Sequence, residues 1–362
     1  MTEREQQILR WIQEDPMISQ EKLAEKAGIT RSSVAVHISN LMKKGYIAGK
    51  GYVLRTGAYA VVIGGVNIDI GGRSFKPLVP GDSNPGKVIT ALGGVGRNIA
   101  NNMSLLGMDV RMLTAFGDDI YGRRIADSCK TLGIDISNAL QIPGGTTPTY
   151  LFLNDADGDM ALALSDMEIC DRITPAYLSN HLGLINNASV VVVDTNIPAE
   201  SISFLTECCT APIFADPVST TKAVKLRPIL GKLHTLKPNR IEAELLSGVK
   251  ITDDASLEEA ARVLLATGLK RVFISLGTDG VLAADGEQML RVPCYKATMR
   301  NATGAGDSFM AALSWAFTEG LELEDTAKAA AAVAAMAIES EETINPAISP
   351  AALRDRMAQQ SF

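Results

Sequence analysis

The sequence predicts an α/β layered fold with a mainly parallel central sheet and a small β lid, preceded by a small helical head. Three observations lead there. Continuous apolar runs alternate with helical stretches over about 300 residues, the pattern of strand and helix layers. Periodicity and charge both change near Thr56-Gly57. A glycine-rich turn, Asn301 to Phe309, delivers an acid to the start of an apolar helix.

Charge divides the chain first. The net charge is −7, yet residues 1–56 carry nine Lys/Arg against six Asp/Glu, a net of +3 that leaves −10 on the remainder. A basic head (1–56) on an acidic body (57–362) suggests two modules with different partners. The chain is 46% hydrophobic, enough for a large core. No apolar run approaches the roughly eighteen residues of a membrane span; the Ala-rich stretch 329–338 is too short. The polar start, Thr2-Glu3-Arg4-Glu5, does not read as a secretory signal. Five cysteines, without CxxC spacing, point to a reducing cytoplasm and away from a disulfide frame or zinc.

In the head, Ile8, Leu9 and Ile12 form one helical stripe. Ser19 caps a second helix that ends at Gly28, and Thr30 opens a third, with Val34, Ile38 and Leu41 inward and Arg31, Ser32, Ser33 and His37 outward. Gly45 stops it, and Tyr46 to Leu54 read as two short strands around Gly49-Lys50-Gly51. This order resembles the winged helix-turn-helix heads of bacterial transcription regulators, with residues 30–44 in the recognition position, which implies DNA as a partner. A small module for oligomerisation or regulation fits the same helices.

In the body, Tyr59 to Val66 is a continuous apolar run, the mark of a strand buried on both faces, and 110–113, 190–193, 213–215 and 272–275 repeat it. Helical stretches lie at 97–107, 121–132, 199–209 and 256–267. In such sheets ligands gather beyond the carboxyl ends of the strands, so Asp69, Asp194 and Asp216 belong on that edge. Segments of about 70–92 and 146–165 alternate without helices and read as a β lid over it.

The turn before Phe309 carries the chemistry. Gly304, Ala305 and Gly306 have no side chain beyond a methyl, so a phosphate can approach the backbone and meet the free amides of a helix N-terminus. Asp307 beside that anion site is costly unless it handles a proton, although an acid in a first turn also complements the helix dipole. Residues 81–88 imitate a phosphate-binding loop, but Val88 stands where a Mg²⁺-binding hydroxyl belongs. Residues 94–99 lack the third glycine of a dinucleotide fingerprint.

Four motifs in order, Gly93-Gly94-Val95-Gly96-Arg97-Asn98, Lys237-Pro238-Asn239-Arg240-Ile241-Glu242, Ser275-Leu276-Gly277-Thr278-Asp279-Gly280 and Ala302-Thr303-Gly304-Ala305-Gly306-Asp307, resemble the PfkB/ribokinase family of carbohydrate kinases over about 58–350. Together with Ser83-Asn84-Pro85-Gly86-Lys87 and Ser165-Asp166-Met167, they look most like its pseudouridine kinase branch.

The resemblance implies a ribokinase-like fold and transfer of the γ-phosphate of ATP to a primary hydroxyl, with pseudouridine ahead of other nucleosides, ribose or a fructose phosphate. It implies Asp307 as the base and the amides of Gly304, Ala305 and Gly306 as the anion cradle. Asn67, Asp69, Gly93, Gly94 and Asn98 would hold sugar hydroxyls, and Asp166 and Met167 the base. Asn239 and Glu242 would organise Mg²⁺ through water, while Asn239, Gly277, Thr278 and Gly280 would border the nucleotide. Asn239 and Glu242 equally form a capping box, Gly93-Gly94 an ordinary turn, and Asp166 and Met167 lid packing. Asn301 stands where the family usually has an Asp at a monovalent-cation site, which puts potassium activation in doubt. By the same resemblance the chain would be a homodimer. A regulator whose kinase-like body senses a sugar or nucleoside is the reading from another class.

Overall fold

The structure, a computed structural model, describes residues 1–48 and 58–359. The head forms as its sequence dictates. Helices Glu3–Glu14, Gln20–Ala27 and Arg31–Lys43 begin at Thr2, Ser19 and Thr30, whose hydroxyls each accept a first-turn amide. Ile8, Ile12, Leu23, Val34, Ile38 and Leu41 close its core. Buried Glu5 pairs with Lys44 at 2.7 Å and also completes the cap of Thr2. The hairpin expected over 46–54 lies mostly outside the described residues. Just beyond the third helix, the Tyr46 hydroxyl donates to Asn187 Oδ1 at 2.8 Å, tying head to body.

The body is built on an eight-stranded sheet. Its order is Met289–Val292, Val281–Asp285, Arg271–Ser275, Thr235–Leu236, Ile213–Asp216, Val190–Asp194, Tyr59–Ile63 and Asp109–Leu113. Pairing is parallel from Arg271–Ser275 to Asp109–Leu113 and antiparallel at the other edge. The central runs are apolar at every position because helices cover both faces. Ala60, Val62, Val190, Val192 and Phe214 meet helices Val95–Leu105, Ala305–Thr318 and Leu323–Ile338. Val61, Ile63, Val191, Val193 and Ala215 meet Ala199–Cys208 and Asp254–Ala266 on the opposite side. The antiparallel edge was not anticipated: Val281–Asp285 has the five-residue length and buried run of the central strands, but run length says nothing of direction. Direction here follows from the short connection 276–280, which carries no crossover helix.

The lid is a separate four-stranded sheet in the order Gly86–Gly93, Asn67–Ser74, Thr149–Asn154, Met160–Asp166. It starts three residues earlier than the alternation suggested, so Asn67 and Asp69 lie on a lid strand and not in a loop after one. Lys87 lies on the strand Gly86–Gly93, so the imitation phosphate loop leads into a strand and never into a helix.

Candidate active site

The anion turn is made by backbone geometry. Gly304 is the N-cap of helix Ala305–Thr318 at φ 82°, ψ −4°, where a Cβ would strike the Thr343 carbonyl. Asn301 shapes the approach: its Oδ1 accepts the Thr303 amide at 2.9 Å and its Nδ2 donates to the Glu341 carbonyl at 3.1 Å. Of the proposed cradle, the Ala305 amide spends a long 3.4 Å bond on the Ala302 carbonyl. The helix N-terminus leaves its other first-turn donors facing outward.

Asp307 stands one residue inside this turn. Its Oδ2 accepts a 2.9 Å hydrogen bond from Asn98 Nδ2, across the contact between its own helix and Val95–Leu105. Burial and the nearby Asp216 carboxylate raise its pKa to about 7, against the pull of Asn98 and Lys237. A carboxylate poised there is suited to taking a proton at neutral pH.

Asp216 lies on the edge where its sequence position puts it, but its pairing with Lys237, and any role for that lysine, escaped sequence reasoning. They form a 3.2 Å ion pair, with side chains 8% and 6% exposed. Burial works against the Lys237 ammonium, but Asp216, Glu242 and Asp307 together raise its pKa, so it stays charged. Its Nζ lies 3.2 Å from where a Cβ on Gly306 would be, which brings a fixed positive charge to the anion turn. The available signals were the lysine opening Lys237-Pro238-Asn239 and the acid ending a buried strand.

At the base of the lid, Asn67 Nδ2 donates to Asp69 Oδ1 at 2.6 Å, and burial raises the Asp69 pKa. A Cβ on Gly93 would press into the Asp69 carboxylate; one on Gly94, at φ 98°, would lie 2.6 Å from Val66 Cα. These glycines are therefore required by close approach, beyond any ordinary turn. Asp194 lies on the expected edge but is spent on structure: its carboxylate accepts the amides of Gly65, Gly96 and Asn196, each at 2.8 Å. Met167 reaches this edge, its Cε 2.8 Å from a Cβ position on Gly65, whereas Asp166 is exposed at a lid strand end.

Asn239 and Glu242 form the capping box: each backbone amide donates to the other's side chain at 2.9 Å. Burial raises the Glu242 pKa. Only its Oε2 is used by the cap, so Oε1 is left to act on a hydrated cation. The Ser275 amide donates to the Pro238 carbonyl at 2.9 Å, which sets the turn of Gly277, Thr278 and Gly280 beside this box. Gly277 and Thr278 are exposed and Gly280 is buried, so only the first two face solvent directly. Among the described residues, no group of three or more His, Cys, Asp or Glu is arranged to hold a metal.

Residues 58–350 match the model of the pfkB family carbohydrate kinases. The chain belongs to that family. It is thus a kinase of the sugar and nucleoside type, and its residues 1–48 match a winged helix-turn-helix DNA-binding model. An uncharacterised sugar kinase of Escherichia coli, YeiI, is 38% identical over 353 residues, covering 96% of this chain and 97% of its own. The Escherichia coli pseudouridine kinase is 40% identical over 299 residues, covering 82% and 95%. Among solved structures, a sugar kinase from Clostridium perfringens superposes with a TM-score of 0.76 at 33% identity, covering 84% of this chain and 97% of its own. The Arabidopsis thaliana ribokinase, solved with ribose and ATP, has the same fold (TM-score 0.74, 21% identity, 83% and 99% covered).

In this kinase, Asn67, Asp69, Gly93, Gly94, Asn98, Asp307 and the anion turn come together at the carboxyl edge of the sheet and the base of the lid. The capping box and the 277–280 turn form a neighbouring group, joined to the first by Lys237. Asp166 is the predicted residue least engaged with either.

Proposed function

We propose that this kinase transfers the γ-phosphate of ATP to the primary 5′ hydroxyl of a nucleoside, pseudouridine before others. The observation that carries this reading is Asp307, held by Asn98 next to a turn of helix-terminal amides and a buried lysine. Asp307 takes the proton of the acceptor hydroxyl as its oxygen bonds to the γ-phosphorus. The bond from phosphorus to the bridging oxygen breaks, and ADP leaves. The amides of Gly304, Ala305 and Gly306 and the Lys237 ammonium balance the charge that builds on the transferred group. Mg²⁺, when bound, would neutralise phosphate charge, with Glu242 and Asn239 holding it through water.

Asp69, with Asn67, accepts the sugar hydroxyls, and Gly93 and Gly94 let the sugar close on the backbone. Met167 meets the base. The 40% identity to the Escherichia coli pseudouridine kinase supports pseudouridine over another nucleoside, ribose or a fructose phosphate. ATP consumption with Mg²⁺ across those acceptors is the test. Preference for pseudouridine is expected; preference for a sugar phosphate would discard the nucleoside and keep the mechanism.

A second role rests on the head. The matches at 1–48 and 58–350 support a division near residue 57. The recognition helix exposes Arg31, Ser32 and Val36, which supports DNA binding by residues 1–56 in the cytoplasm. The lid supports a homodimer. On the face opposite Asp69, Val88, Leu162 and Leu164 are 69%, 55% and 64% exposed, an apolar patch that a second lid would cover. Light scattering of the intact chain should give twice the mass of 38.5 kDa; a monomer would remove this part.

A further inference from the structure

Arg97 is a buried cation that none of the roles above uses. It sits near the start of helix Val95–Leu105, only 4% exposed. Its Nη2 donates to Ser128 Oγ at 2.9 Å, but its Nη1 reaches only long bonds of 3.4 Å to the Leu92 carbonyl and to Asn98 Oδ1. Its Nε is buried with no hydrogen-bond partner. Among the described residues no carboxylate pairs with it within salt-bridge distance. A guanidinium buried without a counter-ion is costly, and such an arrangement persists where its charge or geometry serves a site.

The position of Arg97 identifies that site. Leu92 is the residue before Gly93-Gly94, so the guanidinium lies behind the turn that a sugar must approach. Asp69 lies on the neighbouring lid strand, opposite Ala91 and with its carboxylate against Gly93. Burial lowers the Arg97 pKa, with Asp69 among the groups that oppose it, and Arg97 in turn counters the effect of burial on Asp69. The bond to Asn98 Oδ1 fixes which end of that amide faces outward. With the oxygen turned to Arg97, the Asn98 Nδ2 is left to donate to Asp307.

We propose that Arg97 is a positioning residue for the acceptor: from behind the Leu92–Gly94 turn it balances the charge of Asp69 and turns the Asn98 amide toward Asp307. One side chain thereby links the group that grips the sugar to the group that takes its proton. The proposal rests on the kinase reading given above.

The test compares Arg97→Met, Arg97→Lys and Ser128→Ala with the wild-type chain, on whichever acceptor the wild type turns over. Thermal unfolding shows which variants fold. Acceptor binding by calorimetry and separate KM values for acceptor and ATP supply the readout. The expected result for Arg97→Met is an acceptor KM raised at least tenfold, with a lower kcat and an unchanged KM for ATP. Arg97→Lys, which restores the charge, recovers most of the acceptor KM. Ser128→Ala, which removes the best hydrogen bond and keeps the charge, stays near wild type. A folded Arg97→Met with wild-type acceptor KM overturns the proposal, as does Arg97→Lys performing no better than Arg97→Met. If Arg97→Met does not fold, Arg97→Lys and Ser128→Ala decide: the lysine variant losing acceptor affinity as fully as a dead site overturns it. A wild-type chain that neither binds nor phosphorylates any acceptor removes the kinase reading and this inference with it. Normal wild-type turnover with an indifferent Arg97 removes the inference alone.

Discussion

Asn98 and Asp307 are 209 positions apart in the chain and 2.9 Å apart in space, the amide of one donating to the carboxylate of the other. The bond joins the helix that follows the sugar-side glycines to the helix that follows the anion turn. In the proposed mechanism, acceptor grip and proton removal are thereby set on two helices packed against each other.

Asp307→Asn keeps shape and hydrogen-bonding capacity but cannot take a proton. Turnover should fall by roughly 10²–10⁴-fold, the usual contribution of a positioned base. Acceptor and ATP binding should persist in calorimetry. Undiminished turnover would remove Asp307 from the mechanism.

The raised pKa of Asp307 also fixes two pH dependences. As a base it works deprotonated, so kcat/KM should rise with pH through about 7. For stability the sign is opposite. The folded chain binds a proton here more tightly than the unfolded chain, whose Asp titrates near 3.8. This contribution is thus present at low pH and lost as pH rises toward 7. Asp307→Asn should accordingly melt higher than wild type at pH 8 and gain less at pH 4. Equal melting temperatures at pH 8 would contradict the burial argument.

Lys237→Met leaves Asp216 buried without its partner, which should cost about 3–5 kcal/mol in denaturant unfolding. Adding Asp216→Leu removes the orphaned charge and should restore much of that stability. Turnover should remain low in the double variant, because the positive charge beside Gly306 is still missing. Full recovery of activity would show that Lys237 only packs.

Gly93→Ala places a methyl against the Asp69 carboxylate. The acceptor KM should rise about tenfold, equivalent to some 1.4 kcal/mol of lost contact, with little change in the KM for ATP. An unchanged acceptor KM would mean that the sugar does not bind at this turn.

Asn301 bridges Thr303 and Glu341 with a neutral side chain. Asn301→Asp introduces a negative charge next to the anion turn. Potassium should stimulate this variant more than the wild type in steady-state assays. An identical potassium response in both would show that residue 301 does not control cation use.

Most of the architecture is legible in the sequence because its signals are local. Head helices announce themselves through the Ile8, Leu9 and Ile12 stripe and through Ser19, Gly28 and Thr30, and buried strands through uninterrupted apolar runs. The anion turn needs only small residues ahead of a helix, so Gly304 to Asp307 can be read directly. The antiparallel direction of the strands after Ser275 was missed because the apolar run at 281–284 marks a buried strand without saying which way it runs. Asp194 sits on the edge where the sequence put it, but strand-end position says nothing of which amides a carboxylate will meet, so its structural use was not legible.

The sequence by itself determined the two modules, the alternation of strand and helix, the family motifs and the anion turn, all of which depend on neighbours along the chain. Only the tertiary structure decided which distant groups share a charge environment. Lys237 pairs with Asp216, Asn98 donates to Asp307, and Arg97 lies behind the Gly93-Gly94 turn with no carboxylate in salt-bridge distance among the described residues. Burial and electrostatic coupling depend on distance in space, and packing sets those distances.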